Sequence, residues 1–235
     1  MNVLVTAGNT MTMIDDVRGI SNIFRGRTGN KIADQMREAG HEVILLTSSP
    51  EQVRGEMLSD AFSGGSLTII AYKTYDELLT KMQYAIQNNR FDLIVHSAAV
   101  SDYKVANTYI PCEPSEVSNS GSARVVIKLL QKVGKISSSH KRLFLELVPT
   151  EKIIDKIRRD WGFRGYLVKF KLQVGITDGE LLDIARASRA QSNANLIVAN
   201  CLEWASERAY VIGRDDVAHA VKREEIAQAI LRRMQ

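Results

Sequence analysis

The sequence predicts an α/β protein built on a Rossmann-like, doubly wound and mostly parallel sheet with a protruding β flap. Three observations carry the prediction. Short apolar runs of strand composition, such as Val3–Thr6, Glu42–Thr47, Phe91–Ser97 and Asn195–Ala199, recur along the chain. Segments of helical period lie between them, and that alternation calls for parallel pairing through right-handed crossovers. The first run opens into a glycine-containing loop ahead of a helix, where free N–H groups and a helix N-terminus can hold phosphate.

In chain order, Val3–Thr6 breaks at Ala7-Gly8-Asn9-Thr10, and a long loop leads to Gly26 and Gly29. This is neither the tight G-x-G-x-x-G turn nor a G-x-x-x-x-G-K-[ST] loop, so spacing alone leaves two readings open: a phosphate site or an ordinary connection. A helix is expected from about Thr28 to Ala39, with Ile32, Ala33 and Met36 on one face and Gly40 at its end. A strand over Glu42–Thr47 follows. A polar stretch through Gly64-Gly65 then leads to a strand over Leu67–Tyr72. Leu78, Leu79, Met82 and Ile86 mark a helix over about Tyr75–Gln87, before the strand Phe91–Ser97.

The middle has a different texture. From Asp102 to about Ser122 the chain is rich in turn formers (Pro111, Pro114, Asn119, Ser120, Gly121) and has no clear period. Arg124–Leu130 and Leu143–Val148 read as extended segments around Gly134-Lys135-Ile136-Ser137-Ser138, which suggests a ribbon or flap standing off the main sheet; a linker is the competing reading. Regular alternation then resumes. A helix is expected over about Thr150–Trp161, a strand over Tyr166–Leu172 and a helix over Asp178–Ala190. Strands over Asn195–Ala199 and Ala209–Gly213 precede a closing helix over Arg223–Met234.

At 235 residues, 45% of them hydrophobic and 25% charged, the chain can bury a core without metal or disulfide staples. A net charge of +4 suits small anionic ligands and gives no footprint for nucleic acid. Cys112 and Cys201 lie far apart outside any C-x-x-C spacing, as expected of a reduced, cytoplasmic protein. No apolar run reaches the roughly 18 residues of a membrane span, and no signal-peptide pattern opens the chain.

Ligands of open α/β sheets sit beyond the carboxyl ends of the strands. The first such end supplies Gly8 and, along its loop, Asn22. The strand ending at His96 and Ser97 continues into Ala98-Ala99-Val100-Ser101-Asp102, small residues against which a flat ring can lie. Asp102 is placed to bond a ribose hydroxyl or help hold a metal ion, and equally to cap the next turn. Lys169-Phe170-Lys171 pairs an aromatic with two cations, suited to a nucleotide and also to a strand with solvated lysines. Lys135 in the flap is placed to stabilise charge on a reacting group, or is a solvated surface residue. Of His41, His96, His140 and His219 only His96 lies at a strand end, and none has metal-ligand spacing. There is no G-x-S-x-G elbow and no tyrosine with a lysine four residues on.

Taken together, these pieces resemble the phosphopantothenate–cysteine ligase family, the second domain of many bacterial bifunctional coenzyme A enzymes. The matching segments are Val3-Leu4-Val5-Thr6-Ala7-Gly8-x-Thr10, Ile14-Asp15-x-Val17-Arg18-x-Ile20-Ser21-Asn22, Gly26-x-x-Gly29 and Ala98-Ala99-Val100-Ser101-Asp102-Tyr103. Lys135-Ile136, Val148-Pro149-Thr150, Phe170-Lys171-Leu172 and Leu196-Ile197-Val198-Ala199-Asn200 follow in the family's order. The insertion before Lys135 and the Phe170-Lys171-Leu172 string are similar to the stand-alone form. The resemblance implies one ligase domain over 1–235, with 103–148 as insertion and flap, and assigns the flavin-dependent decarboxylation to a separate protein.

The resemblance further implies a two-step ligation. CTP or ATP, with Mg²⁺, activates the carboxylate of 4′-phosphopantothenate as an acyl-nucleotide, and L-cysteine displaces the nucleoside monophosphate. No flavin and no side-chain metal site are expected. Asn22 then contacts the acyl group and Lys135 serves the acyl-nucleotide step. Gly8, His96, Ser97, Ala98, Asp102, Pro149, Thr150 and Phe170 surround the nucleotide, and the chain forms a homodimer. The chain departs from the family pattern at Asn9, at Phe24-Arg25-Gly26-Arg27, at Lys169, at Cys201, and at Ser188 and Ser192, where the bifunctional enzymes carry lysines. Phosphate binding is therefore expected from Gly26, Arg27, Gly29, Lys169 and Arg189, with Arg25 adding charge. A re-purposed nucleotide-binding paralogue and a Rossmann-type oxidoreductase are the alternatives.

Overall fold

The computed structural model describes residues 1–56, 65–112, 116–117, 123–124, 127–130 and 134–234. The first half runs β1 (Asn2–Ala7), β2 (Met11–Met13), β3 (Gly19–Ser21), α1 (Arg27–Glu38), β4 (Glu42–Thr47) and α2 (Pro50–Glu56), then β5 (Leu67–Ala71), α3 (Tyr75–Asn88) and β6 (Leu93–His96). The middle contains β7 (Tyr103–Pro111), β8 (Glu116–Val117), β9 (Ala123–Arg124), β10 (Ile127–Leu129) and β11 (Phe144–Pro149). The remainder is α4 (Ile153–Arg159), β12 (Tyr166–Gln173), α5 (Asp178–Gln191), β13 (Leu196–Cys201), β14 (Arg208–Ile212), β15 (Ala218–Lys222) and α6 (Ile226–Arg232).

Eight strands form the main sheet in the order β15-β14-β13-β12-β6-β1-β4-β5. From β5 to β13 pairing is parallel, and β14 and β15 add an antiparallel edge. Strand alternation sorts the core into layers. Val3, Val5 and Ala7 face Ile32, Ala33 and Met36 of α1, while Leu4 and Ile94 face Leu78 and Met82 of α3 and Ile157 of α4. Each such fully buried side chain contributes about 1.5–3 kcal/mol. Leu181 and Ala185 of α5 close a third cluster over Ile197 and Ile212. The helices are started by local chemistry: Thr74 accepts from the Glu77 amide at α3, and Thr177 with Glu180 forms a capping box at α5.

The flap stands off the sheet as expected, but its pairing differs. The two extended segments do not join each other; β10 and β11 both pair antiparallel with β7. Strand β7 lies in the segment read as turn-rich. It is exposed or half-buried along its whole length, so no apolar alternation marks it. Strands β2 and β3 pair within the stretch expected to be loop, and at three residues each they are too short for a period to show. A 3₁₀ turn at 223–225 occupies the start of the expected closing helix, and β15 precedes it in a stretch for which no element is expected. Gly64, Pro114, Asn119, Ser120 and Gly121 lie outside the described residues.

Candidate active site

The sheet reverses its direction of winding between β1 and β6, and a groove opens beyond the carboxyl ends of those strands, as the rule for open α/β sheets requires. Three glycines let its walls meet backbone to backbone. Gly8 (φ 91°) ends β1, and a Cβ there would lie 2.1 Å from Ser48 Oγ. Gly26 (φ 82°) begins α1, and its Cβ would lie 2.3 Å from the Gly8 nitrogen. At Gly29 the obstruction is Ser97 Oγ, at 2.4 Å. Only glycine takes these positions cheaply. Helix α1 thus starts flush against β1 and β6 with no side-chain cap and no acidic residue in its first turn. Its amides and its dipole are left to a ligand.

The groove has two lobes that share Phe24, Ala98, Ala99, Phe170 and Leu172. One lobe, of about 580 Å³, holds Gly8, Gly26, Arg27 and Gly29 together with Arg25 and Arg223, and no carboxylate lines it. The other, of about 350 Å³, holds Asn22, His96, Asp102, Thr150 and Lys169. The first has the field of a polyphosphate site, whereas the second mixes donors, acceptors and flat apolar surface.

Asn22 is fixed in one orientation. Its Nδ2 donates to the Ala99 carbonyl at 2.8 Å, and its Oδ1 is buried without a hydrogen-bond partner. The Asn22 carbonyl accepts from Asn9 Nδ2 at 2.6 Å. Ser97 Oγ donates to the Thr6 carbonyl, and the Ala98 amide donates to Thr6 Oγ1. Thr6 Oγ1 also meets His96 Nδ1 at 2.8 Å. The hydroxyl accepts from the Ala98 amide and has a second lone pair, so its bond to Nδ1 is compatible with either tautomer of His96. Burial, aided by the Lys169 charge, pulls His96 down to about 4, so the ring is neutral at pH 7.

Lys169 neighbours His96 in the strand register and is 7% exposed. Its Nζ donates to the Ser188 carbonyl at 2.8 Å, and burial lowers it to about 8 against the raising effect of Asp155. Asp102 is exposed; its carbonyl accepts from the Thr150 amide, and Thr150 Oγ1 donates to the Ser101 carbonyl.

Three expected residues are not brought to the groove. Pro149 pairs with Tyr103 at the root of the flap and lines neither lobe. Arg189 turns away, donating to the Ala194 carbonyl and pairing with Asp216 at 2.8 Å, so its charge is spent within the fold. Lys135 is exposed on the flap loop. That loop is pinned at its neighbour: the Ile136 amide donates to Asp15 Oδ2, and Arg18 donates to the Ile136 carbonyl. Hydrogen bonds from Arg18 and Ile136 hold the Asp15 carboxyl well below the usual carboxylate range. Beneath the flap a further cavity of about 650 Å³ lies between β7, β10 and the β2–β3 ribbon.

Two groove residues escaped the sequence. Arg223 joins the polyphosphate lobe by donating to Thr28 Oγ1 across 195 positions, and nothing local marks it. Asp155, in the first turn of α4, resembles any first-turn helical acid until the fold puts it beside Lys169.

Residues 1–110 match the family model of the DNA/pantothenate metabolism flavoprotein C-terminal domain. The chain is 32% identical over 219 residues to the coenzyme A biosynthesis bifunctional protein CoaBC of Thermococcus kodakarensis, covering 91% of this chain and 45% of that protein. It spans about half the length of the curated relatives it matches. Among solved structures, the DNA/pantothenate metabolism flavoprotein from Streptococcus pneumoniae is similar with TM-score 0.76 and 31% identity, covering 100% of this chain and 98% of that one. The C-terminal domain of a CoaBC protein, at 20% identity and TM-score 0.64, shares the fold, with 98% of this chain and 92% of that chain covered.

Proposed function

The chain belongs to the DNA/pantothenate metabolism flavoprotein C-terminal domain family, and on that premise we propose that it joins 4′-phosphopantothenate to L-cysteine in coenzyme A biosynthesis. The observation that carries this reading is the two-lobed groove. A polyphosphate lobe with three arginines, no carboxylate and an uncapped helix start adjoins a lobe where Asn22 presents a buried acceptor.

In the first step a carboxylate oxygen of phosphopantothenate attacks the α-phosphorus of CTP or ATP, and pyrophosphate leaves. In the second the cysteine amine attacks the acyl carbon, the nucleoside monophosphate departs with the carboxylate oxygen, and the amine loses a proton to solvent. No nucleophilic side chain is required; positioning and charge stabilisation suffice. Arg25, Arg27, Arg223 and the α1 amides hold the leaving pyrophosphate. Asn22, whose donor is committed to Ala99, accepts a hydrogen bond from the incoming amine and orients its lone pair toward the acyl carbon. Ser97, Ala98 and Phe170 support the nucleotide, and Asp102 its sugar.

Among the described residues no group of three His, Cys, Asp or Glu side chains could hold a metal. Mg²⁺ carried by the triphosphate and water would neutralise phosphate charge alongside the arginines of the first lobe. Residues 1–235 act as a ligase domain in the cytoplasm, with 103–148 as its flap, and the ligation itself uses no flavin. No described helix is long and apolar enough to cross a membrane. Exposed Val17, Ile20, Tyr103, Ile127, Leu129 and Leu147 cluster on the β2–β3 ribbon and the flap, a surface suited to a homodimer.

The test is to mix the protein with phosphopantothenate, cysteine, Mg²⁺ and either CTP or ATP. Pyrophosphate and phosphopantothenoylcysteine are expected in equal amounts; no turnover with either nucleotide in folded protein would refute the reading.

A further inference from the structure

We propose that Asp155 and Lys169 read the nucleobase, admitting bases whose pairing edge sets the exocyclic amine beside an unprotonated ring nitrogen (N4 and N3 of cytosine, N6 and N1 of adenine) and rejecting uracil and guanine, which set a carbonyl beside a ring N–H there. The inference rests on the nucleotide-dependent reading of the groove and names residues that reading does not use for the base.

Lys169 is nine-tenths buried, yet its single hydrogen bond goes to the Ser188 carbonyl and no carboxylate pairs with it. Asp155 lines the same lobe, acts on Lys169 electrostatically, and does not reach it. Asp155 Oδ1 is buried and has no hydrogen-bond partner. A buried cation held by one carbonyl and a buried carboxylate oxygen with no partner share a cavity without meeting, which leaves the acceptor unsatisfied and the cation without a counter-charge in the free protein. A ligand that brings an acceptor to one and a donor to the other relieves both.

His96 lines the same lobe and is the partner of Lys169 in the strand register, which places the lysine beside a flat neutral ring. The polyphosphate belongs in the other lobe, where three arginines meet no carboxylate. The base therefore falls to this one, against Ala98, Ala99 and Phe170, which both lobes share. Cytosine offers its N4 amine to Asp155 and N3 with O2 to Lys169; adenine offers its N6 amine and N1. Uracil and guanine present an oxygen to Asp155 and an N–H to Lys169, leaving like groups opposed in a buried site. Sites built on such pairs discriminate strongly, because the wrong ligand leaves them unpaired.

Isothermal titration of the full chain with CTP, ATP, UTP and GTP, without phosphopantothenate, tests this. Wild-type protein should bind CTP or ATP at least tenfold tighter than UTP and GTP. Asp155→Asn, which can donate to a base oxygen, should bring CTP and UTP within about threefold, and Lys169→Met should lose the preference by weakening CTP. Equal binding of UTP by wild type, or an unchanged ratio in both variants, would overturn base reading and leave the ligase proposal standing. Binding of no triphosphate would overturn both.

Discussion

Asn9 Nδ2 donates a 2.6 Å hydrogen bond to the Asn22 carbonyl, tying the loop after β1 to the residue that presents the buried acceptor. The Asn9 amide also donates to Ser48 Oγ, whose hydroxyl donates back to Asn9 Oδ1. Asn9 is one of the positions at which the chain departs from the family pattern. It proves to brace Asn22 and leaves the phosphate lobe unobstructed, since Asn9 does not line that lobe.

Asn9→Ala should therefore act on chemistry more than on binding. A half-buried hydrogen bond of this kind contributes about 1 kcal/mol, enough for a drop in kcat of roughly fivefold to tenfold through misplacement of Asn22. Steady-state kinetics with nucleotide titration should show affinity within about threefold of wild type. A parallel loss of nucleotide affinity would mean that Asn9 serves the phosphate instead.

Gly26 should be far less tolerant than Gly162. Both have positive φ, at 82° and 69°, but a Cβ at Gly26 meets the Gly8 backbone and one at Gly162 meets nothing within 4 Å. Gly162→Ala should cost about 1 kcal/mol in denaturant unfolding. Gly26→Ala should cost at least twice that and lower triphosphate affinity tenfold or more. Equal costs would show that backbone strain, and not close approach, sets the requirement.

Lys135 lines neither lobe of its own chain, so the part in the acyl-nucleotide step that the resemblance implies for it requires a second copy or movement of the flap. Lys135→Ala and Asn22→Ala should each lower turnover at least a hundredfold without changing the circular dichroism. Mixing the two proteins after reversible dissociation discriminates the routes. Recovery toward one quarter of wild-type activity is expected if Lys135 acts across a dimer. No recovery would place it in cis.

His96 is held neutral by burial, at about 4 in the fold against its ordinary 6.5. The unfolded chain binds the extra proton first, so its contribution is fully present above about 6.5 and lost as pH falls toward 4, about 3 kcal/mol across that window. Denaturant unfolding at pH 7 and pH 4.5 should show a smaller loss in His96→Gln than in wild type. Identical losses would show that His96 is protonated without penalty.

Much of this structure was legible from the residues. The parallel strands announce themselves because both of their faces are buried, giving runs such as Val3-Leu4-Val5 and Leu196-Ile197-Val198. Gly26 and Gly29 mark the helix start in the sequence, whereas the close approach to Gly8 and Ser97 that excludes a Cβ there is visible only in the fold. The flap was legible only as extended chain. Strand β7 packs on no core, so Tyr103–Pro111 carries no period to read. Charge was the hardest to assign. Arg189 and Lys169 look alike in sequence, yet Asp216 consumes one while the other stands unpaired in the groove. Asp155 and Arg223 acquire meaning only from neighbours far away in the chain.

The central claim is activation of a carboxylate at the α-phosphorus. The most direct measurement is the fate of carboxylate oxygen: phosphopantothenate labelled with ¹⁸O in its carboxyl group is turned over with cysteine, Mg²⁺ and CTP or ATP, and the nucleotide product is weighed by mass spectrometry. One ¹⁸O atom in the nucleoside monophosphate, with unlabelled pyrophosphate, is the predicted result. Unlabelled monophosphate, or release of nucleoside diphosphate and labelled inorganic phosphate, would contradict it.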